Sequence, residues 1–460
     1  MKTLTKSFLM LCCISFLFAG CKTKTTLSDV KANYPDWVKN AVIYEVNVRQ
    51  YTPEGTFKAF EASLPRLKEL GVDILWIMPI NPIGVKDRKV PEGFTTSLGS
   101  YYSVKDYKAI NPEFGTEADF KELVTKAHEM GFKVIIDWVA NHSSRDNAWI
   151  TEHPDWYMKD STGKILAPFD WTDVAKLDYA NKDLRVAMID AMKYWVEKCD
   201  IDGFRCDVAG EVPVDFWETA RVELEKTKPM FMLAENEDKP ELCKKAFDAN
   251  YAWNMCNGTL ANVAKGKDSI SQIIRQVMKV DSLMPKNTMQ MNFVTNHDEN
   301  SWNGTVTEKF GDGAKAFAIL TYTLPGMPLI YSGQEAGLNK RLKFFTKDTI
   351  NWDNKELVPF YQTLNKLRHS NEALQSPPFG GIFEKINNSE PKKVLSFVRA
   401  KGSTKVLVLL NLSDTPVTFS LKGDVVKDSY TDVFGTADST PKISVPVSLE
   451  AWGFRVLETK

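Results

Sequence analysis

Two hydrophobic rhythms alternate along this chain. Between Ala41 and Glu335, short apolar or β-branched runs take turns with longer stretches whose apolar residues recur every three or four positions. That is the pattern of βα units built around a parallel sheet. The short runs predict strands at Val42–Val48, Ile74–Ile80, Lys133–Val139, Gly203–Val208, Met230–Ala234, Ala246–Trp253, Met289–Thr295 and Pro328–Ser332. Eight such strands close a barrel, so the fold class is α/β, a (β/α)8 TIM barrel. The longer stretches carry core stripes: Phe57, Phe60, Leu64, Leu67 and Leu70 share one helical face, as do Phe120, Leu123, Val124 and Ala127. Gly71 and Gly131 stand where helix-ending glycines belong.

Two segments break the rhythm. Ser143 to Ala180 is rich in Asp, Trp, Pro and Gly without helical period, and reads as a small irregular subdomain inserted after the third strand. Beyond about Leu367 the helical pattern stops. Val394–Arg399, Val406–Leu412, Val417–Leu421 and Gly453–Leu457 alternate with turn residues, the signature of a C-terminal antiparallel β domain. The expected division is a barrel over 37–142 and 181–368, an insert over 143–180 and a β domain over 369–460.

The N-terminus follows neither rhythm. Lys2 and Lys6 precede an apolar run from Phe8 to Ala19, too short to span a bilayer, which reads as an export signal over residues 1–20. Leu17-Phe18-Ala19-Gly20-Cys21 resembles a bacterial lipobox, which implies a lipid on Cys21, a membrane anchor and a tether over residues 21–36. Phe18 departs from the usual aliphatic residue at its position, so a plain secretory signal is the alternative. Once Cys12, Cys13 and Cys21 are set aside, Cys199, Cys206, Cys243 and Cys256 show no metal-ligand spacing. The net charge of −1 over 460 residues provides no field to recruit nucleic acid, so a neutral partner fits better.

In such barrels the chemistry collects at the C-terminal ends of the strands. Here those ends carry Asp137 to His142, Arg205-Cys206-Asp207, Glu235-Asn236 and Asn296-His297-Asp298. Period-two alternation puts Arg205 and Asp207 on the same side of their strand, where the guanidinium is expected to keep the carboxylate ionised. Glu235 ends an apolar run and can be desolvated and kept protonated. Carboxylates converging on one mouth, without a serine elbow or a phosphate-cradling glycine loop, point to glycoside chemistry. Tyr102, Trp76, Trp138, Trp253 and Trp302 are candidates to stack on sugar rings.

These four segments, with Ser100 to Tyr107 after the second strand, resemble in order and spacing the conserved regions of the α-amylase family of glycoside hydrolases. The resemblance runs from about residue 37 to the end. It implies a domain B in the insert and a C-terminal β-sandwich. It also implies retaining cleavage of α-glucosidic bonds in α-glucans or maltooligosaccharides, with Asp207 as nucleophile, Glu235 as general acid/base and Asp298 clamping sugar hydroxyls. By the same resemblance Arg205 supports the nucleophile, His142 and His297 bond the sugar at the cleavage point, and Tyr102 stacks beneath it. Many members carry Lys-His shortly beyond the nucleophile where Gly210 and Glu211 stand here. Many also bind calcium; Asn141 would be an oxygen ligand, but Lys176 falls where an acidic ligand is common, and its ammonium could take the place of the cation. Two alternatives stay open: transfer of the glycosyl group to another sugar, including trehalose-type isomerisation, and a non-catalytic glycan-binding or scaffold role.

Overall fold

The computed structural model describes residues 34–435 and 446–459. The expected export signal, Cys21 and most of the expected tether lie outside the described residues. Eight parallel strands close into a barrel: β1 (Ile43–Val46), β2 (Ile74–Ile77), β3 (Lys133–Trp138), β4 (Gly203–Cys206), β5 (Phe231–Ala234), β6 (Ala249–Tyr251), β7 (Met289–Asn292) and β8 (Met327–Tyr331). Each pairs with its neighbour in sequence, and β8 closes on β1 with Ile43 opposite Leu329. All eight predicted runs are strands; the first seven are shorter than their apolar runs, and the eighth is shifted by one residue. The difference matters at β4, where Asp207 and Val208 lie beyond the last ladder residue.

The helical stripes pack as their spacing requires. Phe57, Phe60, Leu64, Leu67 and Leu70 are buried on two short helices, Phe57–Glu61 and Leu64–Leu70, divided at Ala62-Ser63. Gly71 ends the second in the left-handed conformation that glycine adopts without strain. Helix Glu117–Glu129 opens with a reciprocal capping box between Thr116 and Asp119 and buries Phe120, Leu123, Val124 and Ala127. The barrel interior and this helix layer form one continuous apolar core.

The insert leaves the barrel after β3. His142–Ser144 pairs antiparallel with Val174–Lys176, and the loop between them holds two single-turn helices. In the C-terminal domain a five-stranded antiparallel sheet runs in the order Ile382–Lys385, Val394–Lys401, Thr404–Asn411, Phe454–Glu458, Thr431–Asp432. A strand pair, Val417–Phe419 with Val447–Leu449, packs against it through a second apolar cluster that includes Leu407, Leu409 and Phe419. Among the described residues no helix is long and apolar enough to cross a membrane.

Candidate active site

The strand ends meet in one polar network. Arg205, fully buried at the top of β4, is its hub. Its Nη1 lies 2.7 Å from Asp137 Oδ1 and 3.0 Å from Asp207 Oδ1, and its Nη2 lies 2.9 Å from Glu235 Oε2. Its Nε donates to the Tyr251 hydroxyl at 3.1 Å. One planar guanidinium therefore binds three carboxylates from three adjacent strands, a geometry that lysine cannot reproduce. Trp76, Tyr102 and Tyr251 surround it with their rings.

The backbone just past β4 completes the arrangement. Val208 sits at φ 35, a left-handed conformation in which a β-branched residue is strained. There its N–H donates to Glu235 Oε2 at 2.7 Å. Glu235 Oε2 is thus held by an amide and a guanidinium together. Asp207 differs: Oδ1 faces Arg205, while Oδ2 is buried and has no partner.

The expected ionisation of Asp207 needs correction. Burial pushes its carboxyl well above the usual range, the neighbouring Glu235 charge adds to this, and Arg205 only partly opposes both. A guanidinium shared among three carboxylates cannot hold any one of them as firmly as a private ion pair would. Burial raises Glu235 as well. Two like charges so close in a dry site disfavour double ionisation, so the pair is poised to share a proton.

A second chain of contacts runs beneath the first. His297 stands 2.5 Å from Glu45 Oε1 through Nδ1 and 2.7 Å from the Tyr102 hydroxyl through Nε2; that hydroxyl donates to Asp137 Oδ2 at 3.0 Å. Burial opposes charge on His297, but Asp298 and Glu45 outweigh it and push its pKa up to about 9. As an imidazolium, His297 donates to both Glu45 and Tyr102. His142 shows the contrast: buried without a carboxylate, it is pushed down to about 3 and is neutral.

A cleft of about 390 Å³ opens above this network and is lined by Tyr102, His142, Asp207, Glu235 and Asp298. All five were expected from sequence. Arg205 and His297 lie under its floor and reach it through neighbours. The insert contributes Trp171 and Asp173 to the walls; Trp302, Phe344 and Phe345 come from the loops after β7 and β8. The Phe344 ring lies nearly parallel to that of Tyr102 and extends its aromatic surface. Trp76 and Trp138 are fully buried in the barrel and Trp253 packs against Tyr251 and Phe293 outside the cleft, so of the five stacking candidates Tyr102 and Trp302 line it.

Around Asn141, the side chain expected to ligate calcium, the structure places a histidine and a lysine. The Asn141 side-chain nitrogen stands 3.2 Å from His142 Nδ1. Lys176 sits opposite His142 in the ribbon, with its ammonium 3.7 Å from Glu211. Calcium takes six to eight oxygen ligands; Glu211, an acidic side chain in this region, faces the Lys176 ammonium. Among the described residues no group of three or more His, Cys, Asp or Glu is placed to hold a metal.

A barrel with an insert after β3, and acidic groups gathered around one arginine at its C-terminal mouth, defines a class of barrels equipped for glycoside chemistry. Comparison with known proteins agrees. Residues 32–173 and 152–370 match the α-amylase catalytic domain, and residues 383–456 match the C-terminal domain of maltogenic amylases. The chain belongs to the α-amylase family of glycoside hydrolases. It is similar to a noncanonic maltogenic α-amylase from Thermotoga neapolitana, with 31% identity, a TM-score of 0.78 and coverage of 92% of this chain and 97% of that one. An α-amylase from Lactobacillus plantarum matches at 30% identity and TM-score 0.81, over 92% of this chain and 99% of that one. The α-amylase MalA of Haloarcula japonica is 28% identical over 446 residues, 92% of this chain; the chain spans 64% of that protein's length.

Proposed function

We propose that this protein hydrolyses α-glucosidic bonds of α-glucans or maltooligosaccharides with retention of configuration, through a covalent glycosyl intermediate on Asp207. The observation that carries the reading is the difference between the two oxygens of Asp207. Oδ1 is anchored by Arg205, and Oδ2 faces no donor, which leaves a lone pair free for attack at an anomeric carbon. Glu235 is the proton donor: burial raises its pKa, and Val208 N–H and Arg205 fix one of its oxygens. A shared proton that moves to Glu235 as sugar binds leaves Asp207 ionised, and both roles are filled. Asp298 lines the same cleft and accepts sugar hydroxyls, His142 donates to or accepts from them, and Tyr102 lies under the ring. The family names of the relatives support an α-glucan substrate.

The test is the product profile on maltoheptaose, with the anomeric configuration read at early times by proton NMR. Shorter maltooligosaccharides released first as the α-anomer are expected. Longer oligosaccharides or a non-reducing disaccharide would replace hydrolysis with transfer or isomerisation. We also propose that the protein is exported and held on the membrane by a lipid on Cys21, a reading supported by Leu17 to Cys21 alone; the mass of the mature N-terminal peptide decides it.

A further inference from the structure

The walls of the active-site cleft are lopsided. In the closed ring of strands β1 stands opposite β5, and Glu235 directly follows β5. The loops after β2, β3, β7 and β8 supply Lys89, Trp171, Asp173, Trp302 and Phe344 to the walls. Among the described residues, the loops after β4, β5 and β6 add nothing to the lining beyond Asp207, Val208 and Glu235. The cleft is therefore built up on the side across from Glu235 and low on the side of Glu235 itself.

The built-up side is tied together at several points. Residues 85–96 form an Ω-loop whose two ends are pinned by one side chain: Arg88 donates to the carbonyls of Ile83, Gly84 and Ser97. Toward β8, the Leu98 N–H donates to the Phe345 carbonyl at 2.8 Å, and Arg49 donates to the carbonyls of Gly99 and Phe344. Toward the insert, Lys89 reaches across to Asp173, its ammonium 3.7 Å from Oδ1. The Asp173 side chain is 6% exposed and that of Lys89 36%, so the carboxylate is seated in the insert and the lysine is the arm that reaches it from the facing loop. Both side chains line the cleft.

The reaction fixes how a glucan chain would run past these walls. The departing sugar must stand at Glu235, which protonates its oxygen, so the reducing-end part of the chain leaves over β4 to β6, where the lining is low. The glycosyl group taken up by Asp207 carries the non-reducing end, and that part runs toward the β1 side and meets the joined loops. A chain cut in its interior needs room on both sides of the cut. We propose that Lys89, held by Asp173, closes the non-reducing end of the cleft, so that the enzyme works from chain ends and does not cut inside a long glucan. The inference deepens the function proposed above and rests on it.

The test compares two substrates of the native enzyme: p-nitrophenyl maltoheptaoside, and the same compound with its terminal non-reducing sugar blocked as an ethylidene acetal. Product masses read the cutting of each. The free heptaoside should be cut and the blocked one at least about tenfold more slowly, the discrimination that steric exclusion provides. Lys89→Ala should narrow that ratio severalfold, Asp173→Asn should narrow it likewise, and Lys89→Arg, which keeps the ion pair, should preserve it. A lysine with a merely structural role would lower both rates together and leave their ratio alone. Equal cutting of the two heptaosides by the native enzyme, or a ratio unmoved by both Lys89→Ala and Asp173→Asn, overturns the inference while the proposed function stands. A native enzyme that cuts neither heptaoside overturns the proposed function, and the inference falls with it.

Discussion

Glu45→Gln isolates the charge on His297. The wild-type imidazole is pushed from an ordinary 6.5 up to about 9, with the Asp298 and Glu45 carboxylates overcoming a burial effect of opposite sign. The direction of that opposing effect is visible in His142, which burial, helped by the Lys176 charge, pushes down to about 3. Glutamine keeps the shape at position 45 and removes one of the two compensating charges. The His297 midpoint is therefore expected to fall by at least about one unit. With only five histidines in the chain, labelled-imidazole NMR over pH 5 to 10 resolves each titration. The stability follows by linkage. A pKa raised on folding stabilises fully below about 6.5, and the contribution vanishes as pH rises through about 9; its size is roughly 3 kcal/mol. Urea unfolding should therefore show a gap between wild type and Glu45→Gln near pH 6 that closes by pH 10. A wild-type His297 titrating at or below 6.5, or a gap independent of pH, would refute the reasoning.

Other expectations concern the same network. Glu235→Gln should lower hydrolysis of unactivated maltooligosaccharides about 10²- to 10⁴-fold while sparing aryl glycosides whose leaving group needs no proton, as steady-state kinetics on the two substrates would show. Val208→Gly should relieve local backbone strain of order 1–3 kcal/mol, offset by about 1 kcal/mol of glycine entropy, and so stabilise slightly or not at all in urea while lowering kcat as the N–H that holds Glu235 loosens. Because the Lys176 ammonium stands opposite His142 and faces Glu211, a chelator should leave both the melting temperature and the activity unchanged; a fall in either that calcium restores would contradict this expectation.

What the sequence revealed of this site was mostly what local geometry controls. Period two put Arg205 beside Asp207, and they touch. The four strand-end segments converge because a closed parallel barrel sends every strand's C-terminal end to one mouth. Glu45 was overlooked although it is a charged residue inside an apolar run at a strand end. Its partner His297 is 252 positions away, and only the closure of the barrel shows that the two meet. The ionisation of Asp207 was misjudged for a related reason: an Arg-x-Asp pair looks private in sequence, and the competing claims of Asp137 and Glu235 on one guanidinium are not local. Trp76 and Trp138 show the limit of period two, which separates the faces of a strand without saying how deep each lies. Phe344, Phe345 and Trp171 belong to loops without period, so nothing in their spacing announced that they would wall the cleft.

The central claim is that Asp207 carries the glycosyl group. Incubation with a fluorinated α-glucosyl fluoride that traps glycosyl enzymes, followed by proteolysis and mass spectrometry, tests it most directly. A single adduct on the peptide containing Asp207, lost in Asp207→Ala, is the predicted result. An adduct on Glu235, Asp298 or any other residue, or steady turnover with none, would contradict the account.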